Sequence, residues 1–268
     1  MDARTLTDTA AASGYFPFPT IDGKVLDRQL VDTFDRGEQA PVPLIAGFNS
    51  GEIRTLRFLL PPQPASAEAY EAAIRDKYRD LAPRFLALYP SSDLPETMLK
   101  ITRDAMYAWT AERLVRKQRA IGQPAFLYAF DHGYPAADSN GMHAFHAAEL
   151  PFVFGNLDKV PPRWPKADPA DPREAALSDA MVGYWTSFAR TGEPEAPSAP
   201  KWPVFGPQRD YMDFQEGPRA RDHVLPGMYE LLEEVVCRRR QAKLAWNWNV
   251  GVIAPRTPDP TPQCTPVP

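Results

Sequence analysis

The sequence predicts an α/β fold, a mostly parallel sheet flanked by helices. Three observations point there. Short apolar runs end in glycine and polar residues, as buried parallel strands do where they emerge into loops. Long segments of helical periodicity separate those runs, which is the signature of crossover connections. The 268 residues are 44% hydrophobic and 24% charged, so the chain carries ample apolar surface for such a core.

Residues 1–40 read mostly as loop, with a turn at Asp22-Gly23. The run Val42-Pro-Leu-Ile-Ala-Gly47-Phe48 then reads as a buried strand running out into Asn49-Ser50-Gly51-Glu52. A helix is predicted over 67–80 with Ser66 as its N-cap. A longer one is predicted over 95–120, stopping near Gly122. The aromatic-rich stretch 124–131 reads as the second strand. Residues 132–146 form a polar loop containing Gly133, Asn140 and Gly141. A helix over 172–190 places Leu177, Met181, Tyr184 and Phe188 on one face, and Gly192 stops it. A short third strand is expected over 211–214 and a final helix over 227–247. Three strands make a narrow sheet with unpaired edges, which proteins normally avoid, so the sequence already predicts that the chain needs a partner.

Composition restricts the function classes. A formal net charge of -4 and a pI near 5.7 leave no electrostatic footprint for nucleic acid or an anionic membrane. The run Arg238-Arg239-Arg240 follows Glu230, Glu233 and Glu234 on a predicted helix, and is read as its solvated, dipole-complementing end. Two cysteines, Cys237 and Cys264, make no framework and no metal spacing, so no disulfide dependence is expected. Prolines number 31, about twice average usage. They crowd the tail from Ala254, so residues 254–268 are expected to be disordered beyond a domain of residues 1–253. No stretch approaches the ~20 apolar residues of a membrane span, and the N-terminus has no apolar signal region, so the default expectation is cytoplasmic.

Of the four histidines, His132, His143 and His146 fall in one predicted strand-end loop. Glu52 sits at the end of the other clear strand. In parallel α/β proteins such loops build the active site. An acid and an imidazole there suit a pair in which the acid orients the ring and the histidine acts as general base. A bland reading as ordinary loop residues stands beside it. A metal site is not expected: His143, His146 and Glu149 have suggestive spacing, but further ligands are missing. No cofactor fingerprint occurs either. The serines are equally informative, because none lies in G-x-S-x-G, the elbow that presents a nucleophile on this kind of sheet. There is also no HGGG-like run for an oxyanion hole.

The stretch His146-Ala-Ala-Glu149-Leu-Pro-Phe-Val-Phe-Gly155-Asn156-Leu157 closely resembles the catalytic-histidine segment of type-B carboxylesterases. Residues 141–145 resemble that family's lead-in, and Val42 to Glu52 its acid-bearing strand and loop. Tyr184 to Pro194 and then Trp202-Pro203 resemble its late helix and exit. The resemblance implies the C-terminal half of an α/β-hydrolase fold, with His146 as general base, Glu52 as orienting acid and Glu149 as a supporting buried residue. His143 is then a loop residue, with substrate contact as the alternative. The family's acid is usually followed by Gly, where this chain has Ile53. The implied activity is hydrolysis of a small carboxylic ester, with the nucleophilic Ser and oxyanion hole missing from this chain. The implied partner is an N-terminal complementing half, or a second copy associating through the exposed sheet edge. The alternative function is a non-catalytic interaction module derived from the same fold.

Overall fold

Alternation along one strand sets the layers of this protein, whose computed structural model describes residues 1–15, 19–244 and 250–264. Strand β1 spans Leu44–Asn49 and β2 spans Ala125–Phe130, paired in parallel from Leu44 opposite Ala125 to Asn49 opposite Phe130. Along β2, Phe126 and Phe130 point into one core and Ala125, Leu127 and Ala129 into the other. That period of two puts an apolar layer on each face, as a sheet covered on both sides requires. β3, Tyr211–Phe214, runs parallel to β2, and β4, Pro218–Arg221, closes an antiparallel hairpin onto β3. The order is β1-β2-β3-β4, a mixed sheet of one more strand than expected.

The chain divides into two compact units, Met1–Ala40 and Pro41–Pro268. In the first, α1 (Ala3–Ala12) begins where the Asp2 carboxylate accepts the Thr5 N–H at 3.0 Å. α2 covers Leu30–Asp35. Both helices lie in the stretch that was expected to be mostly loop. The Asp22-Gly23 turn forms, with Asp22 Oδ1 accepting the backbone N–H groups of Lys24, Val25 and Leu26.

In the second unit, α3 (Ala67–Tyr78) starts at Ser66, whose hydroxyl caps the Ala69 N–H at 3.2 Å. α4 covers Ala82–Leu88. The single helix predicted over 95–120 is α5 (Leu94–Arg103) and α6 (Trp109–Ala120), joined by a π-helical turn at Asp104–Ala108. The short helices α7 (Pro135–Asp138) and α8 (Leu150–Val153) flank the histidine loop. α9, Pro172–Thr191, buries Leu177, Met181 and Tyr184 against the Phe126/Phe130 face and ends at Gly192. α10, Met228–Gln241, packs Met228, Leu232 and Val236 on the opposite face beside Trp109 and Val115 of α6. It stops short of the predicted end at 247, and residues 245–249 lie outside the described ones. Among the described residues no helix is long and apolar enough to cross a membrane.

The C-terminal region departs most from the sequence reading. Arg238 and Arg239 are 3% and 7% exposed, not solvated. Arg238 donates to both oxygens of Asp80 at 2.9 Å and also to Glu234, itself 6% exposed. Buried charge is tolerable only when so paired. The segment expected to be disordered is packed as far as Cys264. Thr257 N–H donates to Lys77 O at 2.7 Å, Arg239 donates to Pro255 O at 3.0 Å, and Ala254, Thr257 and Cys264 are buried. Cys237 and Cys264 form a disulfide across 27 residues, fastening the tail to α10. Proline disfavours an α-helix or a central strand here, but not an extended strap that ends in a short 3-10 turn at Pro262–Cys264.

Candidate active site

The carboxyl ends of β1 and β2 present neighbouring loops, and each contributes one half of a histidine–carboxylate pair. After Asn49 the chain leaves β1 through Ser50 and Gly51 to Glu52. Gly51 donates its N–H to Ala144 O at 2.9 Å and forms a parallel bridge with Phe145. A Cβ on Gly51 would come within 2.8 Å of that same carbonyl, so only glycine lets the acid loop close onto the histidine loop. Ile53, where the resemblance expected Gly, is 1% exposed and does not enter the left-handed region, so its side chain serves as core.

The His146 Nδ1–H donates to Glu52 Oε2 at 2.5 Å. Glu52 is 5% exposed, while the His146 side chain is 45% exposed. The second carboxylate oxygen, Oε1, accepts the Asn49 backbone N–H at 3.0 Å. Among the described residues nothing bonds Nε2, so the ring is held on its inner edge and open on its outer one. The hydrogen bond to Glu52 favours the imidazolium and raises the His146 pKa above its ordinary value against the opposing effect of partial burial.

Asn49 ties the two loops together in a way the sequence did not signal. Its side-chain Nδ2 donates to Phe145 O at 2.9 Å and to Glu149 Oε2 at 2.5 Å. Burial raises the pKa of Glu149, which lies beside the pair as a second carboxyl group held by the Asn49 amide. Tyr107, in the π-helical turn, brings its ring to 5.6 Å from the His146 ring, and burial lifts its hydroxyl to about 12. Nearby Trp109 and Phe145 are buried as core. Tyr107 lies within the π-helical turn, whose extra residue shifts the phase of the helix on either side of it.

The other histidines go elsewhere. The His132 Nε2–H donates to Glu174 Oε2 at 2.8 Å beneath α9, among Phe130, Tyr134 and Phe152, with both partners buried. His143 lies between two aspartates at the rim of the site, Asp138 at 2.9 Å and Asp131 at 3.0 Å. No group of three or more His, Cys, Asp or Glu among the described residues is arranged to hold a metal ion.

The buried acid, imidazole and open Nε2 make a unit that can accept a proton from a nucleophile placed against that nitrogen. Comparison with known proteins gives the family. The profile of the carboxylesterase family matches residues 2–231. The chain is 31% identical over 188 residues to the para-nitrobenzyl esterase of Bacillus subtilis, covering 70% of this chain and 37% of that protein. It is 25% identical over 218 residues to carboxylesterase 4A of Bos taurus, covering 75% and 38%. Among solved structures, PNB esterase superposes with a TM-score of 0.67 at 26% identity, over 87% of this chain and 48% of that one. A carboxylesterase of Geobacillus stearothermophilus superposes at 0.67 with 24% identity, over 87% and 49%. These structures are α/β-hydrolase esterases, and the chain spans less than half the length of these relatives. The chain is a member of the carboxylesterase family, carrying part of its α/β-hydrolase fold.

Proposed function

We propose that this chain is the acid-and-histidine part of a carboxylic-ester hydrolase, with His146 as general base, Glu52 as its orienting acid and Glu149 in support. The observation that carries the reading is the 2.5 Å bond from His146 Nδ1 to buried Glu52, which leaves Nε2 open. In such chemistry a serine hydroxyl gives its proton to Nε2 as it attacks the ester carbonyl. The resulting acyl-enzyme is then hydrolysed by water. No serine of this chain lies in G-x-S-x-G, so the nucleophile and oxyanion donors come from residues outside these 268.

The sheet edges support a partner on the β1 side. β4 is a short edge bearing Arg219 and Arg221, the kind of charged edge that resists pairing. β1 is its opposite: an apolar edge strand, Leu-Ile-Ala-Gly-Phe-Asn, only partly buried over its first four residues and preceded by Val42 at 53% exposure. An N-terminal complementing half pairing along β1 would continue the sheet and bring a strand-end loop towards Nε2. A second copy of this chain is the other occupant of that edge.

The test is hydrolysis of a short-chain p-nitrophenyl ester. The purified chain alone should give no rate above His146→Ala. Adding a polypeptide that supplies the G-x-S-x-G half of a family member should restore hydrolysis that His146→Ala abolishes. Activity of the chain alone that His146→Ala removes would mean a serine within it attacks. A well-folded complex with no hydrolysis would leave a non-catalytic interaction module as the reading.

A further inference from the structure

The imidazole of His143 faces a carboxylate from each of its ring nitrogens, and that geometry restricts its charge. Nδ1 is 2.9 Å from Asp138 Oδ1 and Nε2 is 3.0 Å from Asp131 Oδ1. A neutral imidazole has one N–H, and would turn a lone pair toward one of the two carboxylates. Only the imidazolium donates to both.

The three residues come from three places. Asp131 follows β2, where its N–H donates to Phe214 O at 2.8 Å and its second oxygen accepts from Gln215 Nε2 at 3.2 Å. Asp138 closes α7. His143 stands in the loop three residues before His146, at a φ of +49° that L residues rarely adopt without restraint. Space for the arrangement is made by Gly133, where a Cβ would lie 2.2 Å from both Asp138 Oδ1 and His143 Nδ1. On its other side the same loop is held by Gly51 N–H to Ala144 O and by the Asn49 amide to Phe145 O. The loop bearing His146 is thus bracketed, one bracket made of neutral hydrogen bonds and the other of charge.

We propose that His143 is a positioning residue: its imidazolium clamps the loop that places His146, and the clamp loosens as pH rises and the ring loses its second proton. The consequence for ester hydrolysis rests on the function proposed above; the clamp itself does not. The charged groups around the ring are Asp131, Asp138 and, through Asp131, Arg103, with the Ser50 hydroxyl beside Asp131. The bond to Asp131 raises the His143 pKa, partial burial opposes it, and the bond to Asp138 raises it further. For a group raised above its unfolded value the contribution is fully present below about 6.5 and is lost as pH rises through the folded pKa.

The experiment reads the chain itself, without substrate. Amide hydrogen-exchange protection in residues 141–147 is followed from pH 6 to 9, alongside the ring-nitrogen resonances of His143. Wild type should carry protons on both His143 nitrogens at pH 6.5 and lose loop protection about tenfold as the ring titrates above that. His143→Lys, which keeps a cation with several donors, should hold wild-type protection through pH 9. His143→Gln, which cannot carry the charge, should be about tenfold less protected at pH 6 and flat with pH. A His143 ring that titrates at or below 6.5 would overturn the clamp, and needs no variant to be seen. So would His143→Lys losing protection between pH 7 and 9 as wild type does. Because no outcome depends on hydrolysis, loss of the clamp and loss of the proposed esterase activity are separately visible. In the complemented enzyme, His143→Lys should additionally remove the alkaline decline in rate that loop release produces.

Discussion

Two histidine–carboxylate pairs lie on either side of the same strand-end region, and they differ in what encloses them. His132 and Glu174 are 8% and 2% exposed, packed under α9 and ringed by Phe130, Tyr134 and Phe152. His146 and Glu52 share a comparable bond, but the His146 side chain is 45% exposed and presents a free ring nitrogen. The first pair joins the end of β2 to α9 and is buried on both sides. The second joins two loops and opens outward. On the proposed function, burying the acid while exposing the base is what sets the His146–Glu52 pair apart from the enclosed His132–Glu174 pair, though the side chains are the same types.

The contrast is broken most sharply at the open pair. In the complemented hydrolase, Glu52→Gln should lower kcat by about 10⁴, because the amide no longer fixes the tautomer or stabilises the imidazolium. Initial rates with saturating p-nitrophenyl ester measure this, and a loss below tenfold would remove Glu52 from its role. The closed pair should answer in stability instead. His132→Ala leaves Glu174 buried without its partner and should cost about 3–5 kcal/mol in urea unfolding. A cost under about 1 kcal/mol would mean that water or another donor replaces the ring.

The smallest effect sharpens the comparison in pH. The bond to Glu52 raises the His146 pKa, so the neutral base needed for proton abstraction is depleted until pH rises through that value. The kcat/KM of the complemented enzyme should therefore climb as pH rises through the raised His146 pKa, a limb that His143→Lys isolates from the decline that release of the clamp brings. Glu52→Gln removes the stabilised imidazolium and should move the climb down by about one unit in the residual activity. An unmoved profile would assign the acidic limb to another group.

Three of the four strands, the α9 face and the Ser66 cap were legible because apolar period and capping residues are local properties. The histidine and acid loops were legible as a resemblance, and their meeting across Gly51 follows from parallel pairing of β1 with β2. What escaped depends on residues far apart in sequence. The Arg238-Arg239-Arg240 run reads as surface until Asp80 arrives from beyond α3 to neutralise it. Cys237 and Cys264 carry no recognisable spacing, and only packing of the proline-rich strap brings them together. Asn49 looks like a loop residue, yet its amide spans both halves of the site. The histidine-cluster expectation met a different limit, since three neighbouring residues in sequence point to three separate partners.

The π-helical turn at Asp104–Ala108 has a consequence for how changes in length should be judged. Each residue of an α-helix turns the chain by about 100° and advances it by about 1.5 Å. Deleting one residue from this turn would leave a longer, more regular α-helix, chemically unremarkable and well capped at both ends. It would also swing the phase of the preceding segment against α6 and carry Tyr107 away from the His146 ring. Here the more ideal helix is the less suitable one, and a one-residue gap aligned to this turn marks an altered site rather than a tolerated loop trim.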